Sequence, residues 1–257
     1  MNPVLLGFLA SLGAGMMTSI GALPVLFGRQ VSRRLHDALL GFAAGVMLAA
    51  SFFSLIIPSL EISTELFGGS LLPAAIAVAG VVIGVGLIAL INEFLPHEHF
   101  VMGREGPASA SLKKIWLFVI AIAIHNFPEG MAVGVGFGAN DLGNGVSLAI
   151  GIGLQNAPEG LAVALALRSE NYSKHFAFAI ACLTGLIEPV AGFLGAAAVT
   201  VAHPLLPWAL AFAAGAMLYV ISHEIIPETH RRGHHNEATA GLTVGLALMM
   251  FLDISLG

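Results

Sequence analysis

The sequence predicts an all-α membrane protein whose eight helices cross the bilayer. Three observations predict it. Apolar runs of about 20 residues, the length of a membrane-crossing helix, recur from end to end. Only 10% of the 257 residues are charged while 57% are hydrophobic, a balance that excludes an ordinary soluble domain. All ten Lys and Arg fall in loops that an eight-span arrangement puts on one side of the membrane. A single transmembrane domain over 1–257 accounts for the chain.

Span 1, roughly 3–27, lacks a basic leading region and is too long for a cleavable signal. Span 2, roughly 37–60, begins GFAAGVML and closes on IIP at Pro58. Spans 3 to 6 cover roughly 71–94, 114–138, 144–168 and 176–201. Span 7, roughly 205–227, echoes span 2 with AFAAGAML and an IIP that ends at Pro227; span 8 covers roughly 238–256. Arg29, Arg33 and Arg34 lie between spans 1 and 2, and Arg104, Lys113 and Lys114 between 3 and 4. Arg168 and Lys174 lie between 5 and 6, and Arg231 and Arg232 between 7 and 8. The positive-inside rule puts these loops in the cytoplasm and both termini outside. Seven spans would break the alternation. Spans 2 and 7 then run in opposite directions, as in transporters built from inverted repeats with a site near the repeat interface. The implied order is 3+2+3, with spans 4 and 5 between a 1–3 unit and a 6–8 unit. The high content of Gly, 31 residues, suits close helix packing in lipid, and a single cysteine, Cys182, excludes an intrachain disulfide.

The chemistry sits on spans 4 and 5. Span 4 reads IAIAIHNFPEGMAVGVG and span 5 reads IGIGLQNAPEGLAVALAL. His125 and Asn126 precede Glu129 by four and three residues, and Gln155 and Asn156 precede Glu159 in the same way. Both spacings lie on one helix face. Pro128 and Pro158 lack an N–H and should free the carbonyls of Ile124 and Leu154. Kinked backbone at membrane depth is tolerated where it lines a cavity. A carboxylate at the bilayer centre costs about 2.5–3.5 kcal/mol on insertion scales, so two spans with the same costly pattern point to one shared polar site. Glu188 in span 6, again followed by Pro, is a third intramembrane acid. Three ionised Glu repel one another unless cations are present, and two shared Glu can bridge two ions. The alternative is that the acids are protonated and hydrogen-bond across helices. The donors are mostly oxygen with one imidazole and no thiolate, which suits reversible binding of Zn²⁺, Fe²⁺, Mn²⁺ or Cd²⁺.

Flanking residues carry two readings each. Met47 offers a thioether or is a plain lipid-depth Met, and Ser54 is a candidate for the pathway. His223 and Glu224 form an exit station or an interfacial polar pair. Glu61 and Asp253 draw cations to the mouth or are solvated helix ends. The loop between spans 3 and 4, with His97 and His99, is read as mobile: a solvated linker or a metal-handling loop. His230, His234 and His235 join it on the same side.

At HNFPEG and QNAPEG the sequence resembles the ZIP family of zinc- and iron-type divalent-metal transporters, and within it the bacterial GufA-like branch. The resemblance runs over essentially the whole chain. It implies eight spans in a 3+2+3 order, both termini outside, and a homodimer. It implies one metal bound by His125, Glu129, Gln155 and Glu159 with Met47 close by. A second metal would be held by Asn126, Asn156 and Glu188, with Glu129 and Glu159 bridging. Two positions depart from the pattern: many members have His where Gln155 stands, and some have Asp where Asn156 stands.

The expected activity is uptake of a divalent transition metal, zinc before cadmium, iron or manganese, across the bacterial inner membrane. The metal is substrate, not cofactor, and the 1–3 and 6–8 units would rearrange around it. The partners are metal ions and the lipid bilayer, with no nucleic acid. A passive metal channel is the nearest alternative. An intramembrane metalloenzyme is the remote one: a metalloprotease would want H-E-x-x-H, whereas this phrase reads H-N-x-x-E.

Overall fold

The computed structural model describes residues 2–27, 32–94, 97–99, 103–105, 114–139, 142–230 and 233–256. The side chains of His97, His99, His125 and Glu224 lie outside the described ones. Span 1 is helix α1 (Pro3–Ala22), capped by Asn2, whose side chain accepts from the Val4 N–H. Span 2 is a single helical stretch of 35 residues, Arg33–Phe67. Within it, α2 (Arg33–Ala49) passes through a π-helical segment (Ala50–Ile56) into α3 (Ile57–Phe67). Span 3 is α4 (Leu71–Phe94). Spans 4 and 5 are α5 (Lys114–Gly138) and α6 (Leu142–Ser169), both unbroken through their prolines. Span 6 is divided into α7 (Lys174–Gly185) and α8 (Ile187–Val201). Span 7 runs from α9 (Leu206–Val220) through a π-helical segment (Ile221–Ile225) into α10 (Ile226–His230), and span 8 is α11 (His235–Leu256).

Seven of these stretches, 22 to 35 residues long, are long and apolar enough to cross a membrane among the described residues, and α5, at 25 residues, lies within that range of length. The chain is a multi-pass membrane protein. Loop 3–4 departs from helix: β1 (His97–His99) and β2 (Gly103–Glu105) pair antiparallel, with His97 opposite Glu105. Span 2 outlasts its expected end near residue 60. Its helix stops where Gly68 takes φ 68°, a left-handed conformation that suits Gly at a helix end. Glu61 therefore stands inside α3, on an exposed face, and not at a helix terminus.

The breaks have a common cause. Pro58 and Pro227 each directly follow the first residue of the α-helix after a π segment, and a π-turn is a frequent local solution where the i→i−4 ladder is disturbed. Pro189 cannot donate to the Gly185 carbonyl, and the chain breaks there, at Leu186.

The strongest packing falls into two groups of helices. One holds α1, α5, α6, α7 and α8; the other holds α2, α3, α4, α9 and α11. This grouping joins spans 1, 4, 5 and 6, and spans 2, 3, 7 and 8, so it cuts across the expected 1–3 and 6–8 units. Inside each group small residues let backbones touch, as membrane helices require in the absence of a hydrophobic drive. The seam between the groups is made by α6 against α2 and α11, and by α5 against α9. Around it lies an apolar cluster with Met47, Leu55, Ile152, Met217 and Met249.

At the start of α2 the carboxylate of Asp37 is buried, 2.7 Å from His234 Nδ1 and 3.6 Å from His36 Nδ1. It ties the beginning of span 2 to the beginning of span 8. His234→Ala removes one partner of a buried carboxylate, a loss of about 1–3 kcal/mol. It is expected to lower the melting temperature of the purified protein in detergent. An unchanged melting temperature would show that this contact does not hold the two spans together.

Candidate metal centre

Three elements bring the acids together. The phrase on α5 presents Asn126 and Glu129, that on α6 presents Gln155, Asn156 and Glu159, and the break in span 6 puts Glu188 in the first turn of α8. A helix N-terminus at mid-span favours a negative group. All six side chains are buried, none more than 2% exposed. The glycine that ends each phrase sets the spacing. A Cβ on Gly130 would lie 2.3 Å from the Glu188 carbonyl oxygen, and one on Gly160 would lie 1.9 Å from that of Thr18. Only Gly admits those backbone contacts, which press α5 against α8 and α6 against α1.

The hydrogen bonds run between helices. Gln155 Nε2 donates to Glu129 Oε1 at 2.6 Å. Asn156 Nδ2 donates to Glu188 Oε1 at 2.7 Å and to the Ala14 carbonyl at 2.9 Å. Thus α6 supplies an amide to a carboxylate on each side of it, and α1 joins the site through its backbone. Glu129, Glu159 and Glu188 are near enough for their charges to act on one another.

What is left over is mostly oxygen, with Asn126 Nδ2 the one nitrogen. Asn126 Oδ1, Glu129 Oε2, Gln155 Oε1, Asn156 Oδ1 and Glu188 Oε2 are buried and have no hydrogen-bond partner among the described residues. A buried polar atom left unsatisfied costs about 1–3 kcal/mol. One or two cations would satisfy several such oxygens together, whereas among these six side chains Asn126 Nδ2 is the one donor nitrogen left without a partner among the described residues. No group of three or more His, Cys, Asp or Glu among the described residues is placed to hold an ion by itself. The set is half amide, so a cation here would depend on amide oxygens as well as carboxylates. The side chain of His125, one turn before Glu129, lies outside the described ones.

The flanking candidates separate. Met47 is fully buried in the apolar cluster with Ala132 and Ile152, residues one turn from Glu129 and Gln155. Ser54 and Asp253, singled out independently, meet: Ser54 Oγ donates to Asp253 Oδ1 at 2.6 Å. His223 stacks on Tyr219 with ring centroids 4.8 Å apart, and Tyr219 OH accepts from buried Asn92 at 3.1 Å. Glu61 stays apart from the central acids, beside Leu60, Thr64 and Glu65. Sequence reasoning passed over Asn144, whose Nδ2 donates to the Ser54 carbonyl at 3.0 Å, and over Thr18, Asn92 and Asp37. Each is a polar residue in or at the edge of an apolar run, a signal that was present but unspecific.

A family model described as ZIP Zinc transporter matches residues 96–253. The chain is 46% identical to the zinc transporter ZIPB of Bordetella bronchiseptica over 93% of this chain and 78% of that protein. It is 46% identical to the zinc transporter GufA of Myxococcus xanthus over 98% of this chain and 99% of that protein. It is 35% identical to the human zinc transporter ZIP11 over 94% of each. With a phrase-bearing pair of helices, a third acid between them and α1, and similarity that spans nearly its whole length, the chain belongs to the ZIP zinc transporter family and is a transporter, not an enzyme.

Proposed function

We propose that this protein takes up divalent transition-metal ions, zinc first and cadmium, iron or manganese as further candidates, into the cytoplasm. The observation that carries this is the cluster of buried carboxylate and amide oxygens without hydrogen-bond partners among the described residues, drawn from α5, α6 and α8. The relatives named as zinc transporters support zinc as the cargo.

The proposed centre is binuclear. His125, Glu129, Gln155 and Glu159 hold one ion and Asn126, Asn156 and Glu188 the other, with Glu129 and Glu159 bridging. Met47 serves as an apolar wall or a weak soft ligand near the first. The amides of Gln155 and Asn156, which now donate to Glu129 and Glu188, would turn their oxygens toward the metal. Ser54 and Asp253 mark the outer approach, and His223, Glu224 and the loop residues His97 and His99 the cytoplasmic exit. On this reading the basic loops face the cytoplasm, both termini lie outside, and the chain works in the bacterial inner membrane as a homodimer.

Transport proceeds by alternating access. The grouping of spans 1, 4, 5 and 6 against spans 2, 3, 7 and 8 favours movement of one group past the other, in place of the 1–3 and 6–8 units. An inverted repeat is supported by the π-helical segments that spans 2 and 7 carry at matching places before Ile-Pro. A carrier of this kind saturates and shows countertransport, which separates it from a passive channel.

The test is uptake of ⁶⁵Zn into sealed proteoliposomes, with Cd²⁺, Fe²⁺ and Mn²⁺ as competitors. Glu129→Ala and Glu159→Ala are each expected to abolish saturable uptake while the protein still reconstitutes. Normal uptake by a well-incorporated Glu129→Ala protein would sink the proposal. Asn156→Asp replaces the donor to Glu188 and Ala14 by a further acid. It is expected to lower the melting temperature without metal and to enlarge the rise that Zn²⁺ produces. A Zn²⁺ shift no larger than that of the parent would place the second ion elsewhere.

A further inference from the structure

We propose that Asn144 and the backbone carbonyl of Ser54 form a gate on the transport pathway: a hydrogen bond across the seam between the two helix groups, on the face opposite the basic loops. The inference rests on the transport reading above. It begins with Pro58. Lacking an N–H, Pro58 leaves the carbonyl of Ser54, four residues back, without its helical donor. In the apolar depth of a membrane protein such a carbonyl must find a partner. It finds Asn144 Nδ2 at 3.0 Å, from the first turn of α6. Asn144 is itself only 5% exposed. The same Ser54 donates its hydroxyl to Asp253, so one residue links spans 2, 5 and 8.

The bond is placed as a gate, not a staple. Ser54 to Asp253, Ser59 to the Pro207 carbonyl, and Asn156 to Glu188 all join helices of one group. Asn144 to Ser54 joins α6, which carries the QNAPEG phrase, to span 2 of the other group. Asn144 precedes Gln155 by 11 residues, about three helical turns. Between them, one turn from Asn144, is Ser147, fully buried and with a hydroxyl that has no hydrogen-bond partner among the described residues. While the Asn144 bond holds, α6 is fixed to span 2 at this end and the way to the acids is shut. Movement of one group past the other has to break it. Once broken, it leaves the Ser54 carbonyl, the Asn144 amide and the Ser147 hydroxyl as a polar opening that leads toward the centre. A carbonyl freed by proline and held by a neutral amide suits this role, since neither group carries a charge to strand in the open state.

The experiment reads the gate without relying on transport. In a Cys182→Ser background, Ser147→Cys is modified with a membrane-impermeant thiol reagent added to each face in turn. The modification rate is compared with Asn144 intact, in Asn144→Ala and in Asn144→Asp, whose carboxylate cannot donate to a carbonyl. Loss of one membrane hydrogen bond shifts an equilibrium by about threefold or more. Both variants are therefore expected to speed modification by at least that factor, from the face opposite the basic loops only. Equal rates in all three proteins, or acceleration from the basic face, would overturn the gate. Should Asn144→Ala fail to reach the membrane, Asn144→Asp, which keeps the side chain's size, carries the same comparison. ⁶⁵Zn uptake by the parent is measured alongside: its absence contradicts the transport reading, whereas equal labelling with intact uptake contradicts the gate alone.

Discussion

Everything at the centre of this protein follows from the need to satisfy carboxylates buried between packed helices. Glu129 and Glu188 stand on different helices, and each accepts a hydrogen bond from a neighbouring amide on α6. An unpaired acid at membrane depth is costly, so α6 cannot move away from α5 or α8 without exposing that cost. The phrase helix thereby becomes the hub of its group. The amide partners satisfy one oxygen of each of these two acids and leave the other without a partner among the described residues. On the proposed reading a cation would complete the shell as the amides turn their oxygens toward it. Amides are well suited to this, since they donate to the acids when no ion is bound and can offer oxygen when one is.

The glycines make the network possible. Gly130 and Gly160 follow the two glutamates directly, and each allows a backbone contact that any side chain would block. They bring α8 and α1 to the phrase helices at the level of the acids. The proline before each glutamate and the break at Leu186 add locally free backbone at the same depth. The recurring N-x-P-E-G is therefore one physical unit: an amide, a proline without an N–H, a buried carboxylate and a close helix crossing. In the other group the π-helical segments before Pro58 and Pro227 do comparable work. There Pro58 leaves the Ser54 carbonyl of span 2 without its i+4 donor, and that carbonyl is answered from across the seam.

Much of this was legible in the chain. The apolar runs and the one-sided placement of Lys and Arg led to the helices, and the repeated phrase led to the buried acids. Glu188 stood out as a third acid before a proline. Ser54 and Asp253 were singled out for separate reasons and proved to be partners. What escaped notice depends on long-range packing. Nothing local told that Asn156 would reach the Ala14 carbonyl, because α1 carries no acid and reads as plain apolar helix. The grouping of spans was hidden because chain order suggested units of three, whereas small-residue crossings pair spans far apart in sequence. Asn144 sits in DLGNG, which reads as a turn, so its place in the first turn of α6 gave no warning. Span 2 is expected to end near residue 60, where polar residues such as Glu61 enter the apolar run, yet the helix continues to Phe67.

The most direct test of the central claim is anomalous X-ray diffraction at the zinc edge from crystals of the purified protein grown with Zn²⁺. Two peaks are expected between α5, α6 and α8, flanked by Glu129, Glu159 and Glu188 oxygens, and both should vanish in the Glu159→Ala protein. Zinc density confined to the histidines of the basic loops, with none among these acids, would contradict the claim that the interhelical carboxylate and amide network is the transported ion's site.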